Sequence, residues 1–302
     1  MTLQQLRYVV CAAECRSMNR AATKLFISQP SLSATIKDLE EELDMEIFLR
    51  SNRGITLTAE GEDFLGYARQ ILQQYQLMEE KFIEKKRPKQ KFSVSMQHYT
   101  FAVQAFIEMA KDFGMDDYEF AVHETKTHEV IENVRNQKSE IGILYLNDFN
   151  RPVMEKIFQE NVVEFTELFT CGIYVFLAKG NPLATKEKIQ LEDLKDYPCL
   201  SFEQGEENSF YFAEEVFSTY DYKQIIKTDD RATILNLMVG LNGYTLCSGI
   251  ICNDLNGNGY AAVPLDTDEK MKIGYIKKKG MPLSRLGERY ICELKKFETN
   301  IL

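Results

Sequence analysis

A chain of 302 residues with 44% hydrophobic and 27% charged side chains can build two or three cored domains, and this balance excludes a disordered or low-complexity protein. No run approaches about 18 consecutive apolar residues, so no membrane-spanning helix is expected, and the opening MTLQQLRYVVCAAECR reads as an amphipathic helix rather than a signal peptide, which points to the cytoplasm. The net charge of −10 is unevenly held: residues 1–90 contain 13 basic and 13 acidic side chains, so the other 212 residues carry all of it, and nucleic acid would be repelled unless basic groups were locally focused.

The first elements are helical. Leu3, Leu6, Val10 and Ala13 fall on one face of a first helix. Ser17 is placed to cap a second, in which Ala21, Ala22, Leu25 and Phe26 are small or apolar. Leu32, Ile36, Leu39 and Leu43, spaced 4, 3 and 4, give a third helix a single apolar stripe. Three matching faces predict a small bundle. The junction Phe26-Ile27-Ser28-Gln29-Pro30 sharpens the reading. Ser28 can cap the third helix, and Pro30 is tolerated only in a first turn, so one helix starts almost where the other ends and the two must cross sharply. With the stripe turned inward, Gln29, Ser31, Ser33, Ala34 and Lys37 face outward near a helix N-terminus, small and hydrogen-bonding groups suited to a major groove. A solvated polar face is the alternative reading of the same residues. In MEIFLRSNRGITLTAEG, two short strands flank Ser51-Asn52-Arg53-Gly54, a hairpin carrying Arg50 and Arg53 in the manner of a DNA-contacting wing.

At this point a family resemblance is specific. AATKLFISQPSLSATIKDLEEEL followed by IFLRSNRGITLTAEGEDF resembles the N-terminal winged helix-turn-helix of LysR-type transcriptional regulators, without a gap from about Leu3 to Ala68. The resemblance takes in the SQPS-S core, the FxR before the wing and the LTxxG after it. It implies that Ser28, Gln29, Pro30, Ser31, Ser33 and Lys37 lie at or near double-stranded promoter DNA, with Arg50 and Arg53 on the wing. Many relatives carry a basic or larger polar residue where this chain has Ala34 and Thr35, which implies fewer base contacts and more reliance on DNA shape.

Thr58 opens a long helix over 59–87 whose Phe64, Ala68, Ile71, Tyr75, Met78 and Phe82 are spaced 4, 3, 4, 3 and 4, a coiled-coil seam ending in EKKRPKQK. A lone helix cannot bury such a seam, so pairing with a second copy is expected. The resemblance implies the same: a homodimer, or a dimer of dimers, that presents two reading heads to two half-sites.

From residue 91 strands and helices alternate. KFSVSM, TFAVQAFIEMAKDF, YEFAVHE, HEVIENVRNQ and EIGILYL give a βαβαβ start, hence a parallel α/β sheet. A second set follows in CGIYVFLA, LEDLKDYPCLSF, NSFYFAEEVFSTY, QIIKT, RATILNLMVGL and YTLCSGI, and the strand MKIGYIKK with the helix LSRLGERYICELKKFET returns to the first lobe. The expected fold thus joins a winged helix-turn-helix (1–58), a linker helix (59–87) and a two-lobed α/β domain (91–302), with lobe I at 91–161 and 266–302 and lobe II at 162–265. KGNPLA and RATILNLMVGLNGYTL resemble the same family more loosely, with Cys247-Ser248 in place of the more usual Leu-Pro, and imply an effector-binding domain of periplasmic-binding-protein type. Strand ends that open helices supply free N–H groups. They place Gln97, His98, Tyr99, Thr100, Thr127 and His128 on one side of a cleft, and Ser201, Phe202, Glu203, Thr228 and Ser248 on the other. A small carboxylate or other polar metabolite fits such groups; Glu203, if it faces the cleft, would instead favour an amine or hydroxyls.

Other readings are weaker. No GxSxG, HExxH, GxGxxG or P-loop occurs, so an enzyme is not expected. A solute receptor would fit the two lobes but not the reading helix. Seven cysteines (Cys11, Cys15, Cys171, Cys199, Cys247, Cys252, Cys292) and three histidines (His98, His123, His128) form no CxxC and no zinc-ligand spacing, so no metal or other cofactor is expected and the thiols read as reduced and structural. A redox-sensing regulator acting through cysteine oxidation stays open as the alternative.

Overall fold

The computed structural model describes residues 1–51, 54–83, 89–112, 117–205 and 210–300. It divides into two compact units, Met1–Lys89 and Gln90–Leu302. In the first, helices α1 (Leu3–Cys15), α2 (Met18–Lys24) and α3 (Gln29–Leu43) precede strands β1 (Phe48–Ser51) and β2 (Gly54–Leu57) and the helix α4 (Ala59–Phe82). Hydroxyl caps set the helix starts: Ser17 accepts from the Arg20 N–H, Ser28 from Ser31 and Thr58 from Gly61. The bundle closes on Val9, Ala12, Ala21, Leu32, Ile36, Leu39 and Ile47. The inward face of α1 is turned one step from the expected one, burying Leu6, Val9, Cys11 and Ala12 and leaving Val10 and Ala13 half-buried. Two glycines allow the wing to sit close. Gly54 has φ 129°, and a Cβ there would lie 2.8 Å from the Arg16 carbonyl oxygen; one at Gly61 would lie 2.2 Å from that of Ile47.

The long helix splits the expected seam. Phe64 and Leu65 pack on the bundle core and Ala68 is buried, whereas Ile71, Met78 and Phe82 are 42%, 50% and 68% exposed. Arg7 lies over the Tyr75 ring at 5.5 Å and pairs with Glu79 at 3.7 Å, which ties α1 to the middle of α4.

In the second unit β3 (Gln90–Met96), α5 (Thr100–Lys111), β4 (Tyr118–Glu124), α6 (Thr127–Arg135), β5 (Ile141–Leu146) and α7 (Arg151–Glu160) make the expected βαβαβ start, and β6 (Val163–Cys171) follows. Then come β7 (Tyr174–Ala178), β8 (Cys199–Phe202), β9 (Ile225–Thr228), α8 (Arg231–Leu241), β10 (Tyr244–Cys247), the short α9 (Asn253–Asn256), β11 (Tyr260–Pro264), β12 (Met271–Lys278) and α10 (Arg285–Lys295). Two five-stranded sheets result, in the orders β4-β3-β5-β12-β6 and β11-β7-β10-β8-β9. β3 runs parallel to β4 and β5, and β12 antiparallel to β5 and β6. The second lobe was expected to start at 162, but β6 pairs with β12 along its length, so the chain leaves the first sheet only after Cys171. A reading of alternating elements also fails in NSFYFAEEVFSTY. Among its described residues, 210–220, the helical part is the 3-10 turn Phe210–Phe212, and bends and a turn follow. No described helix is long and apolar enough to cross a membrane.

Candidate ligand cleft and nucleic-acid interface

The face expected to read DNA is built by α3. Leu32, Ile36 and Leu39 are fully buried, which turns Ser28, Pro30, Ser31, Ala34 and Lys37 outward and leaves Gln29 and Ser33 half-exposed. These polar groups are linked among themselves: the Ser28 and Ser31 hydroxyls lie 2.8 Å apart, and the Gln29 amide donates to Ser33 at 2.7 Å. Lys37 pairs with Glu41 at 3.2 Å and Arg50 with Glu40 at 3.4 Å; the other Glu40 oxygen accepts the Ile47 and Phe48 N–H groups and so holds the first wing strand. Arg53 lies outside the described residues. Phe26, expected among the apolar residues of the second helix, instead follows its end at Lys24 and is 95% exposed with φ 56° in the turn before α3.

In the second unit α5 and α6 open at the ends of β3 and β4, so their N-termini share one edge of the first sheet. The loop after β8 crosses to that edge. Its Glu214 accepts the His98 N–H at 2.9 Å, lies 2.9 Å from His98 Nδ1, and accepts the Gln204 amide at 3.1 Å. The His98 ring stacks on Phe202 with centroids 3.8 Å apart and planes 4° from parallel. Glu215 accepts the Phe202 N–H at 3.0 Å and the Ser201 hydroxyl at 3.2 Å. Further ties join the lobes: the Thr127 N–H donates to Gln204 at 2.9 Å, its hydroxyl to the Phe212 carbonyl at 2.7 Å, and the Tyr145 hydroxyl to the Glu215 carbonyl at 3.2 Å. Arg231, at the start of α8, pairs with Glu124 at the end of β4.

Between these ties lies a cavity of about 90 Å³. Of the residues chosen from the sequence, His98, Tyr99, Thr100, Phe202 and Ser248 line it. Gln97 and Thr127 are buried behind it, where the Gln97 amide donates to the Thr127 hydroxyl at 2.6 Å, and Ser201 serves Glu215. The remaining three do not line it. Thr228 is buried and its hydroxyl donates to the Asp230 carbonyl; His128 lies against Phe212; Glu203 is exposed, its N–H bonded to the Thr228 carbonyl at 2.8 Å. The acids of the cleft are instead Glu214 and Glu215, and Arg231 and Thr245 also line it. Sequence reasoning missed all four. Two adjacent acids within FAEEVF, an otherwise apolar run, were the legible sign.

Electrostatics follow from burial. Desolvation, and then the neighbouring Glu214, push the Glu215 carboxyl up to about 8. Burial raises the Tyr99 and Tyr145 hydroxyls. It pushes the Cys171 and Cys199 thiols up to about 12 and Cys247 to about 11, so none is a thiolate at neutral pH. No cluster with metal-ligand character occurs among the described residues.

Comparison with known proteins agrees with this architecture. Residues 3–62 match the model of the bacterial regulatory helix-turn-helix protein, lysR family, and residues 115–296 that of the LysR substrate binding domain. The chain is 30% identical over 205 residues to the HTH-type transcriptional regulator AlsR of Bacillus subtilis, covering 67% of this chain and 64% of that one. It is 24% identical over 302 residues to the DNA-binding transcriptional dual regulator OxyR of Escherichia coli, covering 94% and 91%. Full-length OxyR from Pseudomonas aeruginosa shares the fold, with a TM-score of 0.62 at 21% identity over 98% and 95% of the two chains. A capped helix with its wing, followed by two α/β lobes around a cleft, matches both parts of one family in order: the chain belongs to the LysR-type transcriptional regulators.

Proposed function

We propose that the chain is a cytoplasmic, homo-oligomeric regulator that reads promoter DNA through α3 and its wing and answers a small polar effector held between the two lobes. Ser28, Gln29, Pro30, Ser31, Ser33 and Lys37 form the reading face, with Arg50 and Arg53 on backbone phosphates and Phe26 free to touch a thymine methyl or a sugar. The exposed part of α4, from Ile71 through Met78 to Phe82, pairs with a second copy. Effector binding closes or opens the lobes and re-spaces the two heads.

The observation that carries the effector reading is a half-open, largely apolar cleft with a few buried polar groups on its walls, bridged by hydrogen bonds from both lobes. A carboxylate on the effector would find Arg231 as the cationic side chain on the wall. No hydroxyl or thiol is bonded to His98 among the described residues, so the cleft reads as a binding site and not as a catalytic one. The redox alternative has relatives named OxyR in its favour. Against it stand three thiols, Cys171, Cys199 and Cys247, made weaker acids by desolvation, and a loop with no cysteine between Cys199 and Cys247.

Fluorescence anisotropy on the DNA upstream of the chain's own gene, with a salt titration, tests the proposal. Specific binding with a steep negative salt slope is expected; Arg50→Ala should lower that slope by about one, and Ser33→Ala should relax sequence preference at one position. Equal binding to random DNA would overturn it.

A further inference from the structure

Resting on the reading of the cleft as the effector site, we infer that the effector carries a primary ammonium group, which Glu215 binds as its counter-ion inside the cavity. The N–H at the start of α5, where a ligand carboxylate was expected, is already answered by Glu214 at 2.9 Å. That same carboxylate also meets the His98 ring and the Gln204 amide, so the chain's own anion holds the anion position.

Glu215 has the opposite character. It is 6% exposed, lines the cavity and accepts the Phe202 N–H, the Ser201 hydroxyl and its own backbone N–H. A carboxylate offers about four acceptor positions, so about one remains open. Among the described residues no Lys, Arg or His pairs with it: Arg231, on the same cavity, is engaged by Glu124, and the nearest charged neighbour is Glu214, of like sign. A buried carboxylate without a cation is costly, and an entering cation removes that cost.

Thr245 supplies an independent observation. It is 7% exposed, lines the same cavity, and its Oγ1 has no partner among the described residues. Buried hydroxyls are nearly always bonded, so this one marks a place for a ligand donor. An ammonium brings one positive charge and three N–H donors to walls that hold open acceptors on Glu215 and Thr245 and the aromatic rings of Phe176 and Phe202. A cavity of about 90 Å³ has room for a small polar head group and its neighbouring carbons.

The ammonium comes from a simple amine or from an amino acid, whose carboxylate would add Arg231, and the test separates the two. Full-length protein is screened by thermal shift and titration calorimetry against the straight-chain primary amines from ethylamine to hexylamine, the matching carboxylates and the common α-amino acids. At least one ammonium-bearing probe is expected to bind, about tenfold or more weaker in Glu215→Gln and weaker in Thr245→Val. Thr245→Val without ligand should melt no lower than the wild type, because it removes an unsatisfied hydroxyl; this separates lost binding from lost folding. Binding near pH 7 should also release a proton from Glu215, read from the heat in two buffers and absent in Glu215→Gln. The other titratable groups facing Glu215 are Glu214, Tyr99, Tyr145, Cys199 and Tyr222. Unchanged affinity in Glu215→Gln overturns the inference. Binding of carboxylates alone overturns it while leaving the effector cleft standing, and binding of no probe removes both.

Discussion

Glu214 and Glu215 are neighbours in sequence with opposite roles. Glu214 reaches across to His98 of the first lobe and to Gln204, whereas Glu215 is held by Phe202, Ser201 and its own N–H and has the acid Glu214 beside it. Because the folded-state carboxyl of Glu215 titrates near 8 rather than 4.5, the folded protein binds an extra proton between those values. Stability then falls as pH rises through that window, by roughly 3 kcal/mol at pH 7. Glu215→Gln keeps the shape and removes the charge. It should therefore be more stable than wild type at pH 8 and about equal at pH 4.5 in urea denaturation; a constant difference across pH would contradict this. His98, Tyr99, Thr100, Phe202 and Ser248 of the cleft were legible because strand ends that open helices expose N–H groups. The acid pair was not, because its loop has no regular period to announce which way its side chains turn.

At the scale of elements, what the sequence foretold follows from local chemistry. Ser17, Ser28 and Thr58 cap helices where hydroxyls precede apolar periodicity, and Gly61 of LTxxG admits α4 against the Ile47 carbonyl. Elements set by distant partners were misread. The run FAEEVF yields its backbone to bonds with the first lobe, and Val163–Cys171 joins the first sheet because β12 offers it an edge. The seam of α4 lies between these cases. Its periodicity is plain, yet only its first part is covered within one chain, and Ile71, Met78 and Phe82 remain in contact with solvent. Replacing both Ile71 and Met78 by Glu puts two charges where a partner helix would pack and touches none of the bundle core. Sedimentation should then show the dimer falling to a monomer, with the melting of the head region lowered only by the loss of mass-action stabilisation. A dimer that persists would place the contact elsewhere.

The whole molecule is two cored units whose buried clusters share no residue: Val9, Leu32 and Ile36 centre one, and Val94, Ile143, Leu177 and Tyr290 belong to the other. Their charge differs as well, since residues 1–90 are neutral and the remainder holds the whole net charge of −10. Folding cooperativity follows packed contact, so separate cores predict separate calorimetric transitions. A ligand in the cleft touches residues of the second unit alone and stabilises it by mass action, about 2.7 kcal/mol at a hundredfold excess over Kd. For a unit of 213 residues that corresponds to a rise of roughly 5–10 °C. The expected trace therefore has two peaks, of which an ammonium-bearing probe moves one and a DNA half-site moves the other. If a cleft ligand shifted both peaks together, the units would be energetically coupled in the free protein, and the signal to the reading heads would travel through that coupling rather than through a change in how two chains are spaced.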